Sequence, residues 1–253
     1  MFQEEFQSVC KSGETKAGFL KNNPLGYTVS SILAGMFISF GSFVAFVLGS
    51  LISAGDASSW TKAAQGFAFA AALSLVIMSG AELFTGNNFV MTAASLRKKV
   101  NWLTTLKLWI VCWIGNFIGS LICVAAFHFT GIPEGDTGAY FATIAQGKVS
   151  LAPAELIIRA VFCNILVCLA VWCGIKLKSE SGKLIMIFWC IFVFMVCGFE
   201  HSVANMSVEG VALLNNDISI GSYVYSIVLA SVGNIIGGAV FVALPYHLIS
   251  KEK

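Results

Sequence analysis

A short polar segment interrupts an apolar stretch in the last quarter of the chain. Residues 198–206 have the sequence G-F-E-H-S-V-A-N-M, between an apolar run at 184–196 and a mainly apolar run at 208–214. Glu, His and Asn are costly at membrane depth, where they normally face a cavity, a partner or a transported species. The segment therefore predicts a membrane-spanning helix that is broken near its middle.

The same pattern occurs once more, earlier in the chain. Residues 80–87 and 198–205 share the spacing G-x-E-x-x-x-x-N at an offset of 118. The same offset relates G-N-F-I-G at 115–119 to G-N-I-I-G at 233–237. Two matches at one offset indicate that the second half of the chain is a copy of the first. The small residues of the G-N-x-I-G motifs predict close helix packing, with hydrogen bonds from their Asn residues to neighbouring helices.

The composition is that of an integral membrane protein. The chain is 57% hydrophobic and 11% charged, whereas soluble domains carry about 25% charged residues. Its net charge of +2 indicates no nucleic-acid partner. Seven of the eight Cys residues lie in apolar runs and no C-x-x-C pair occurs, so we expect buried cysteines and no metal or cofactor.

The apolar pattern predicts an all-α protein with six membrane spans in one domain at 27–250. Residues 1–26 are polar, show no cleaved signal peptide, and predict a short amphipathic surface helix that ends near Pro24. Repeat one covers about 27–130 and repeat two about 152–250, and a polar loop with Pro133, Glu134, Asp136 and Lys148 joins them. The predicted spans are 27–51, 60 to 96 with a break, 102–130, 152–177, 184 to 214 with a break, and 221–249.

Three spans per copy is an odd number, so the two copies must cross the membrane in opposite directions. Inverted repeats with paired broken helices place a transport site near the midplane of the bilayer. Basic residues set the orientation. The side that holds both termini carries eleven of the fifteen Lys and Arg residues, which predicts cytoplasmic termini. These are Lys11, Lys16, Lys21, Arg97, Lys98, Lys99, Lys176, Lys178, Lys183, Lys251 and Lys253.

The broken helices predict an anion site. The second half-helix of each broken span begins near the midplane, so its free N–H groups and positive dipole end point inward. We expect Glu82 and Glu200 to be structural and to accept N–H bonds from the unwound loops. A part in a proton relay is the alternative for either carboxyl group.

His201 is the most informative single residue, because it lies next to Glu200 in a helix break. An anion in an apolar pore pays a large desolvation cost. A histidine that donates a hydrogen bond, or briefly a proton, lowers that cost. Thr85 in the other break supplies a hydroxyl from the first repeat. Lys148 could raise the local anion concentration, although a solvated loop lysine explains it equally well.

Three motifs resemble those of the formate/nitrite transporter family. They are I-M-S-G-A-E-L-F-T-G at 77–86, A-V-F-C-N-I-L-V-C-L-A at 160–170, and the break at 198–206. The resemblance covers essentially the whole chain. It implies an aquaporin-like inverted repeat, assembly as a homopentamer in the lipid of the cell membrane, and one pore per protomer for a small monovalent anion. Formate and nitrite are the prototype substrates, and hydrosulfide belongs to a recognised branch.

The resemblance also implies a role for individual residues. Thr85 and His201 would lie between two apolar slits, with Asn164 and Asn205 as further polar pore residues, and Lys148 in the outer vestibule. The cytoplasmic slit would contain Leu73, Leu83 and Val167, and the outer slit Phe69, Phe84 and Phe194. Apolar rings of this kind exclude hydrated cations, whereas a small weak-acid anion can pass.

Two other functions remain open from the residues alone. An aquaporin-like pore for neutral solutes would share the repeat, but no Asn-Pro-Ala pair occurs, and the one Asn-Pro is Asn23-Pro24. A membrane enzyme could use Glu200 and His201 as an acid–base pair. No metal-ligand cluster or nucleotide-binding loop accompanies that pair, so we do not expect an enzyme.

Overall fold

The computed structural model of the chain describes residues 2–55 and 57–251, and all regular secondary structure within them is helical. Met1 of the predicted N-terminal segment and Lys253 of the basic set lie outside these residues. The helices are α1 (Gln3–Asn22), α2 (Pro24–Ser53), α3 (Thr61–Ser79), α4 (Phe84–Leu96), α5 (Trp102–His128), α6 (Gly135–Val149), α7 (Pro153–Lys176), α8 (Glu180–Cys197), α9 (Ser202–Leu214), α10 (Ile220–Gly238) and α11 (Leu244–Ile249).

Six segments of the described chain are long and apolar enough to cross a membrane, which confirms the predicted number. They are Pro24–Ser53, Ser58–Ser79, Trp102–His128, Pro153–Lys176, Glu180–Cys197 and Ile220–Ile249. The last of them combines α10 and α11 through a π-helical turn at Ala239–Ala243. The shorter helices α4 and α9 complete the two spans that were predicted to be broken.

Both breaks have the same local cause. The helices α3 and α8 each end at a glycine with positive φ, Gly80 at 73° and Gly198 at 70°. An L-residue with a Cβ pays about 1–2 kcal/mol for this left-handed conformation, whereas glycine adopts it freely. The residues just before α4 and α9, Leu83 and His201, are then extended. Each break is therefore a glycine-capped helix end followed by a short extended segment.

The two G-N-x-I-G motifs bring long helices into close contact, as predicted. A Cβ on Gly119 of α5 would lie 2.0 Å from the carbonyl oxygen of Ile32 in α2. A Cβ on Gly237 of α10 would lie 2.4 Å from the carbonyl oxygen of Val161 in α7. Neither distance leaves room for an atom, so a larger residue at these positions would push α2 from α5, or α7 from α10.

The N-terminal helix is present and ends before Pro24, but it is not a loose surface element. Phe6, Val9 and Cys10 are buried, and α1 packs along α4. Burial raises the pKa of the Cys10 thiol, which lies outside the membrane spans, to about 11. The helix α1 thus covers one end of the broken span α3–α4.

The prediction of a polar loop between the repeats is wrong, because the second part of this segment forms the helix α6. Gly138, Phe141 and Ala145 are buried at helical spacing, and α6 packs against α9. The polar residues around this apolar face give the segment the composition of a loop. The helix α6 stands before the first span of the second repeat, as α1 stands before the first span of the first.

Candidate functional site

The two helix breaks meet at a hydrogen bond between Thr85 and His201. Thr85 Oγ1 lies 3.0 Å from His201 Nε2, and both side chains are almost completely buried. His201 Nδ1 accepts the backbone N–H of Ala204 at 3.1 Å and so caps the start of α9. Because Nδ1 is an acceptor, a neutral ring carries its proton on Nε2 and donates it to Thr85. The hydroxyl hydrogen of Thr85 then remains available to another acceptor.

Aromatic rings cover one side of this pair. The Phe194 ring lies nearly parallel to the His201 ring, at a centroid distance of 6.0 Å and 19° between planes. The Phe69 ring stands edge-on to Phe194 at 5.7 Å and 81°. A cavity of about 20 Å³ lies among these three residues, and we call it the histidine cavity. The structure therefore brings Phe69, Phe194 and His201 together.

A wider cavity adjoins the histidine cavity. It has a volume of about 370 Å³ and is lined by Lys62, Lys148, Arg159 and Glu200 among others. Phe46 and Lys148 line both cavities. We call the wider one the Lys148 cavity. Three cationic side chains and one carboxylate give it a basic wall beside the aromatic rings.

A second wide cavity, of about 210 Å³, borders other residues of the site. Lys16, Leu73, Leu83, Asn87 and Val171 are among its lining residues, and we call it the Lys16 cavity. Leu73 lies one turn after Phe69 on α3, and Leu83 lies two residues before Thr85. Two leucines of the predicted cytoplasmic slit thus line the Lys16 cavity. The predicted slit residue Val167 is buried on α7, one turn before Val171.

Phe84 has different surroundings from the other predicted slit residues. It lines a separate groove of about 220 Å³ together with Trp109, Trp113 and Ile235. Its backbone N–H donates to Asn116 Oδ1 at 2.9 Å. These contacts give no support to its predicted position beside Phe69 and Phe194.

Lys148 holds a carboxylate and an amide of the second break. Its Nζ lies 2.6 Å from Glu200 Oε2 and 3.1 Å from Asn205 Oδ1. Asn205 Nδ2 donates to the same Glu200 oxygen at 2.8 Å. The Lys148 side chain is only 17% exposed. Lys148 is therefore a fixed part of the site and not a solvated loop residue.

The first break contains a matching network that the sequence analysis missed. Lys16 Nζ lies 2.7 Å from Glu82 Oε1, and Asn87 Nδ2 donates to Glu82 Oε2 at 2.9 Å. The one signal for Lys16 was its place in the segment before the first span, as Lys148 is placed before the fourth. In both networks the glutamate binds a lysine and an asparagine. The expectation that Glu82 and Glu200 accept N–H bonds from the loops is wrong.

The asparagines of the G-N-x-I-G motifs hold the breaks, as expected. Asn116 Nδ2 donates to the carbonyl oxygens of Ser31 and Glu82, and its Oδ1 accepts the N–H at the start of α4. Asn234 makes the same three bonds, to Ala160, Glu200 and the N–H of Ser202. Each asparagine thus accepts a backbone N–H at the start of a half-helix. That N–H was expected to bind the anion.

Asn164 lies beside the central pair and contacts it through the backbone. Its Nδ2 lies 3.2 Å from the carbonyl oxygen of Thr85, 3.1 Å from Asn88 Oδ1 and 2.6 Å from the carbonyl oxygen of Asn234. These contacts position Thr85. Asn88 belongs to this group and was missed, since nothing in its spacing separates it from its neighbour Asn87.

The described cysteines are free, and most are buried, as predicted. The exceptions are Cys173, which is half-buried, and Cys197, which is exposed at the end of α8. Among residues 2–55 and 57–251, no three His, Cys, Asp or Glu side chains lie close enough together to hold a metal ion.

Comparison with known proteins decides the family. The family model described as formate/nitrite transporter matches residues 3–248. The chain belongs to the formate/nitrite transporter family. The resemblance of the three motifs is thereby confirmed, and the chain is a multi-pass membrane protein of a family of transporters rather than enzymes.

Individual family members match along most of their length. The chain is 38% identical to a probable formate transporter of Methanothermobacter thermautotrophicus, with 88% of each chain covered. It is 30% identical to the nitrite transporter NirC of Escherichia coli (strain K12), over 97% of this chain and 91% of NirC.

Solved structures of the family have the same fold. A structure titled "FNT family ion channel" has a TM-score of 0.93 at 28% identity and covers 99% of this chain and 100% of its own. One titled "Pentameric formate channel with formate bound" has a TM-score of 0.76 at 27% identity, over 90% and 98% of the two chains.

Proposed function

We propose that the protein conducts small monovalent weak-acid anions, namely formate, nitrite or hydrosulfide, through one pore in each protomer. The pore would run from the Lys148 cavity past Phe69 and Phe194 to the central pair, and then past the slit of Leu73, Leu83 and Val167 to the Lys16 cavity. The observation that carries this proposal is the buried Thr85–His201 hydrogen bond between two lysine-lined cavities.

The lysines and the apolar slits have different tasks in this mechanism. Lys148 and Lys16 raise the anion concentration at the two entrances. The slits contain no charge, so a bare anion would pay a large desolvation cost inside them. Taking up a proton removes most of that cost, and formic and nitrous acid and hydrogen sulfide are small and neutral. Flux therefore rises as the pH falls, because a larger share of the substrate is in its neutral form.

His201 acts as a hydrogen-bond donor in this proposal and not as a fixed charge. Charging the ring would put a proton on Nδ1, opposite the Ala204 N–H, and would break the cap of α9. The neutral ring and the Thr85 hydroxyl instead offer polar contacts to the substrate between the slits. Their hydrogen bond to each other gives each side chain one partner when the pore is empty.

Orientation follows from the basic residues. Cytoplasmic termini place the Lys16 cavity on the cytoplasmic side of the cell membrane and the Lys148 cavity outside. The matched networks at Glu82 and Glu200 support an inverted, aquaporin-like repeat, since each cavity then has its own lysine.

Assembly as a homopentamer is proposed from the likeness to the pentameric formate channel. The chain also exposes large apolar side chains, such as Leu103 at 78% and Phe129 at 86%. Such side chains need lipid or neighbouring protomers as their cover.

The deciding experiment measures flux in proteoliposomes for formate, nitrite and hydrosulfide at two pH values, with glycerol as the neutral control. We expect anion flux that rises as the external pH falls, with glycerol excluded, and the three rates rank the substrates. Glycerol flux without anion flux would contradict the proposal and indicate an aquaporin-like pore.

A further inference from the structure

Glu209 is a buried carboxyl group that the proposed mechanism does not use. It lies on α9, one turn after Asn205, and is 0% exposed. Its Oε1 accepts the hydroxyl of Ser226 at 2.6 Å. Its Oε2 is buried without a hydrogen-bond partner. Within the described part of the chain, no lysine, arginine or histidine pairs with it.

Ser226 connects this carboxyl group to the network of the Lys148 cavity. Asn205 Nδ2 lies 3.4 Å from Ser226 Oγ. The same amide group donates to Glu200, and the amide oxygen accepts from Lys148. Glu209 is thus two hydrogen bonds away from Asn205, whose side chain contacts both Lys148 and Glu200.

The equivalent position in the first half has no carboxyl group. The position 118 residues before Glu209 is Met91, which is also buried. The network of Lys16, Glu82 and Asn87 is present although position 91 is a methionine. A carboxyl group is therefore not needed to build this kind of network, and Glu209 adds a titratable group to the second half only.

The surroundings of Glu209 favour its neutral form. A buried carboxylate without a counter-ion is costly, so the group holds a proton instead. The ionisable groups of the same hydrogen-bond network are Lys148 of α6 and Glu200 before α9, and Tyr223 of α10 donates its hydroxyl to the carbonyl oxygen of Met206 on α9. Among the helices that pack against α9, α2 and α4 contain no Asp, Glu, Lys, Arg or His. The helix α5 has only Lys107 and its last residue, His128. In α6, Asp136 is three turns from Lys148.

We propose that Glu209 is a proton-binding site that sets the charge of the Lys148 cavity. With Glu209 protonated, Lys148 and Glu200 balance each other, and an arriving anion meets a neutral network in a basic cavity. When Glu209 loses its proton to bulk water, its new negative charge attracts Lys148 and repels the anion. This inference depends on the proposed anion transport, and it makes entry from the Lys148 side weaker at alkaline pH.

The test compares wild type with Glu209→Gln, which keeps the shape and the Ser226 contact but cannot ionise. Formate flux into proteoliposomes is measured from the Lys148 side at a series of pH values that are equal on both sides. Protonation of formate itself changes both proteins alike, so the ratio of variant to wild-type flux isolates Glu209. We expect this ratio to increase severalfold from acidic to alkaline pH, through a rise in the wild-type KM. A ratio that is constant across the range would overturn the proposal.

Two further variants exclude a purely structural explanation. Glu209→Met installs the residue of the first half, and its ratio should rise with pH as that of Glu209→Gln does. The matched control Met91→Gln should give a ratio that does not change with pH. If Glu209→Met alone differed from wild type, the role of Glu209 would be its contact with Ser226, and the proposal would be wrong.

A spectroscopic readout separates this inference from the transport proposal. In infrared difference spectra, the wild type should show the carbonyl band of a protonated carboxylic acid at neutral pH, which weakens at alkaline pH and is missing in Glu209→Gln. Absence of that band at neutral pH in the wild type would overturn the inference. Absence of any anion flux in the wild type would contradict the proposed function, while the band would still report the proton on Glu209.

Discussion

The two halves of the chain share the contacts that build the breaks and differ in the residues that meet at the centre. Asn116 and Asn234 make the same three hydrogen bonds, and a lysine–glutamate–asparagine network stands in each half. At the offset of 118, however, His201 corresponds to Leu83, and Val203 corresponds to Thr85. Each half therefore supplies one polar residue where the other half supplies an apolar one.

This difference separates the requirements of folding from those of transport. An interrupted helix leaves backbone groups that lipid cannot satisfy, and this need is the same in both halves. In the proposed pore, the centre needs only one donor pair between the two apolar slits. His201 Nδ1 caps α9, so its Nε2 is the ring nitrogen that contacts Thr85. One histidine and one threonine therefore form the central pair.

The largest effects should come from breaking the shared contacts. Asn116→Leu and Asn234→Leu each remove three hydrogen bonds to buried backbone groups, which should cost about 3 kcal/mol or more of stability. Thermal unfolding of the purified protein and the fraction that stays monodisperse in detergent measure this loss. Equal losses are expected in the two halves. A loss in one half only would show that the repeated contacts are not equivalent.

Changes at the centre should reduce flux more than stability. Replacing His201 by Phe removes the Nε2 donor and the cap, and flux should fall about 10- to 100-fold, the effect of losing a hydrogen bond of about 1–3 kcal/mol. Proteoliposome flux of formate measures it.

His201→Asn provides the matched variant, because asparagine is also a good helix cap. It should lose flux to a similar degree while keeping the wild-type unfolding temperature. Wild-type flux in either properly assembled variant would mean that His201 has no part in transport.

Much of the fold could be predicted from the sequence. Glycine at a left-handed position and a carboxyl group within an apolar run are local signals, so the breaks at Gly80 and Gly198 were found from spacing alone. The helix α6 was missed because polar residues around Phe141 and Ala145 are typical of a loop. Its partner face on α9 is distant in sequence and gives no local signal.

The candidate site was predictable to a smaller degree. His201 and Thr85 stand out because polar residues are rare at membrane depth. Lys16 could not be found, since its contact with Glu82 joins residues 66 positions apart through the packing of α1 on α4. The family resemblance gave Phe69 and Phe194 their predicted place, because an apolar residue in an apolar span carries no signal of its own.

The two lysines should have smaller and side-specific effects on flux. Lys148→Gln should lower flux about three- to tenfold when the anion is added on the Lys148 side, by reducing its local concentration, and Lys16→Gln should do so on the other side. Added salt should reduce the wild-type rate towards that of each variant. Initial rates in oriented proteoliposomes at two salt concentrations measure this. The same loss from both sides in one variant would contradict separate entrances.

The smallest expected effect is a difference in chemical labelling between Cys10 of the first half and Cys197 of the second half, measured on the unsubstituted protein. Burial beneath α1 raises the pKa of the Cys10 thiol to about 11, so at pH 8 only about one such thiol in a thousand is the reactive thiolate. Cys10 should therefore resist maleimide at pH 8 and react faster as the pH rises towards 11, whereas exposed Cys197 reacts first. Mass spectrometry of the labelled peptides distinguishes them. Rapid labelling of Cys10 at pH 8 would mean that α1 detaches from α4.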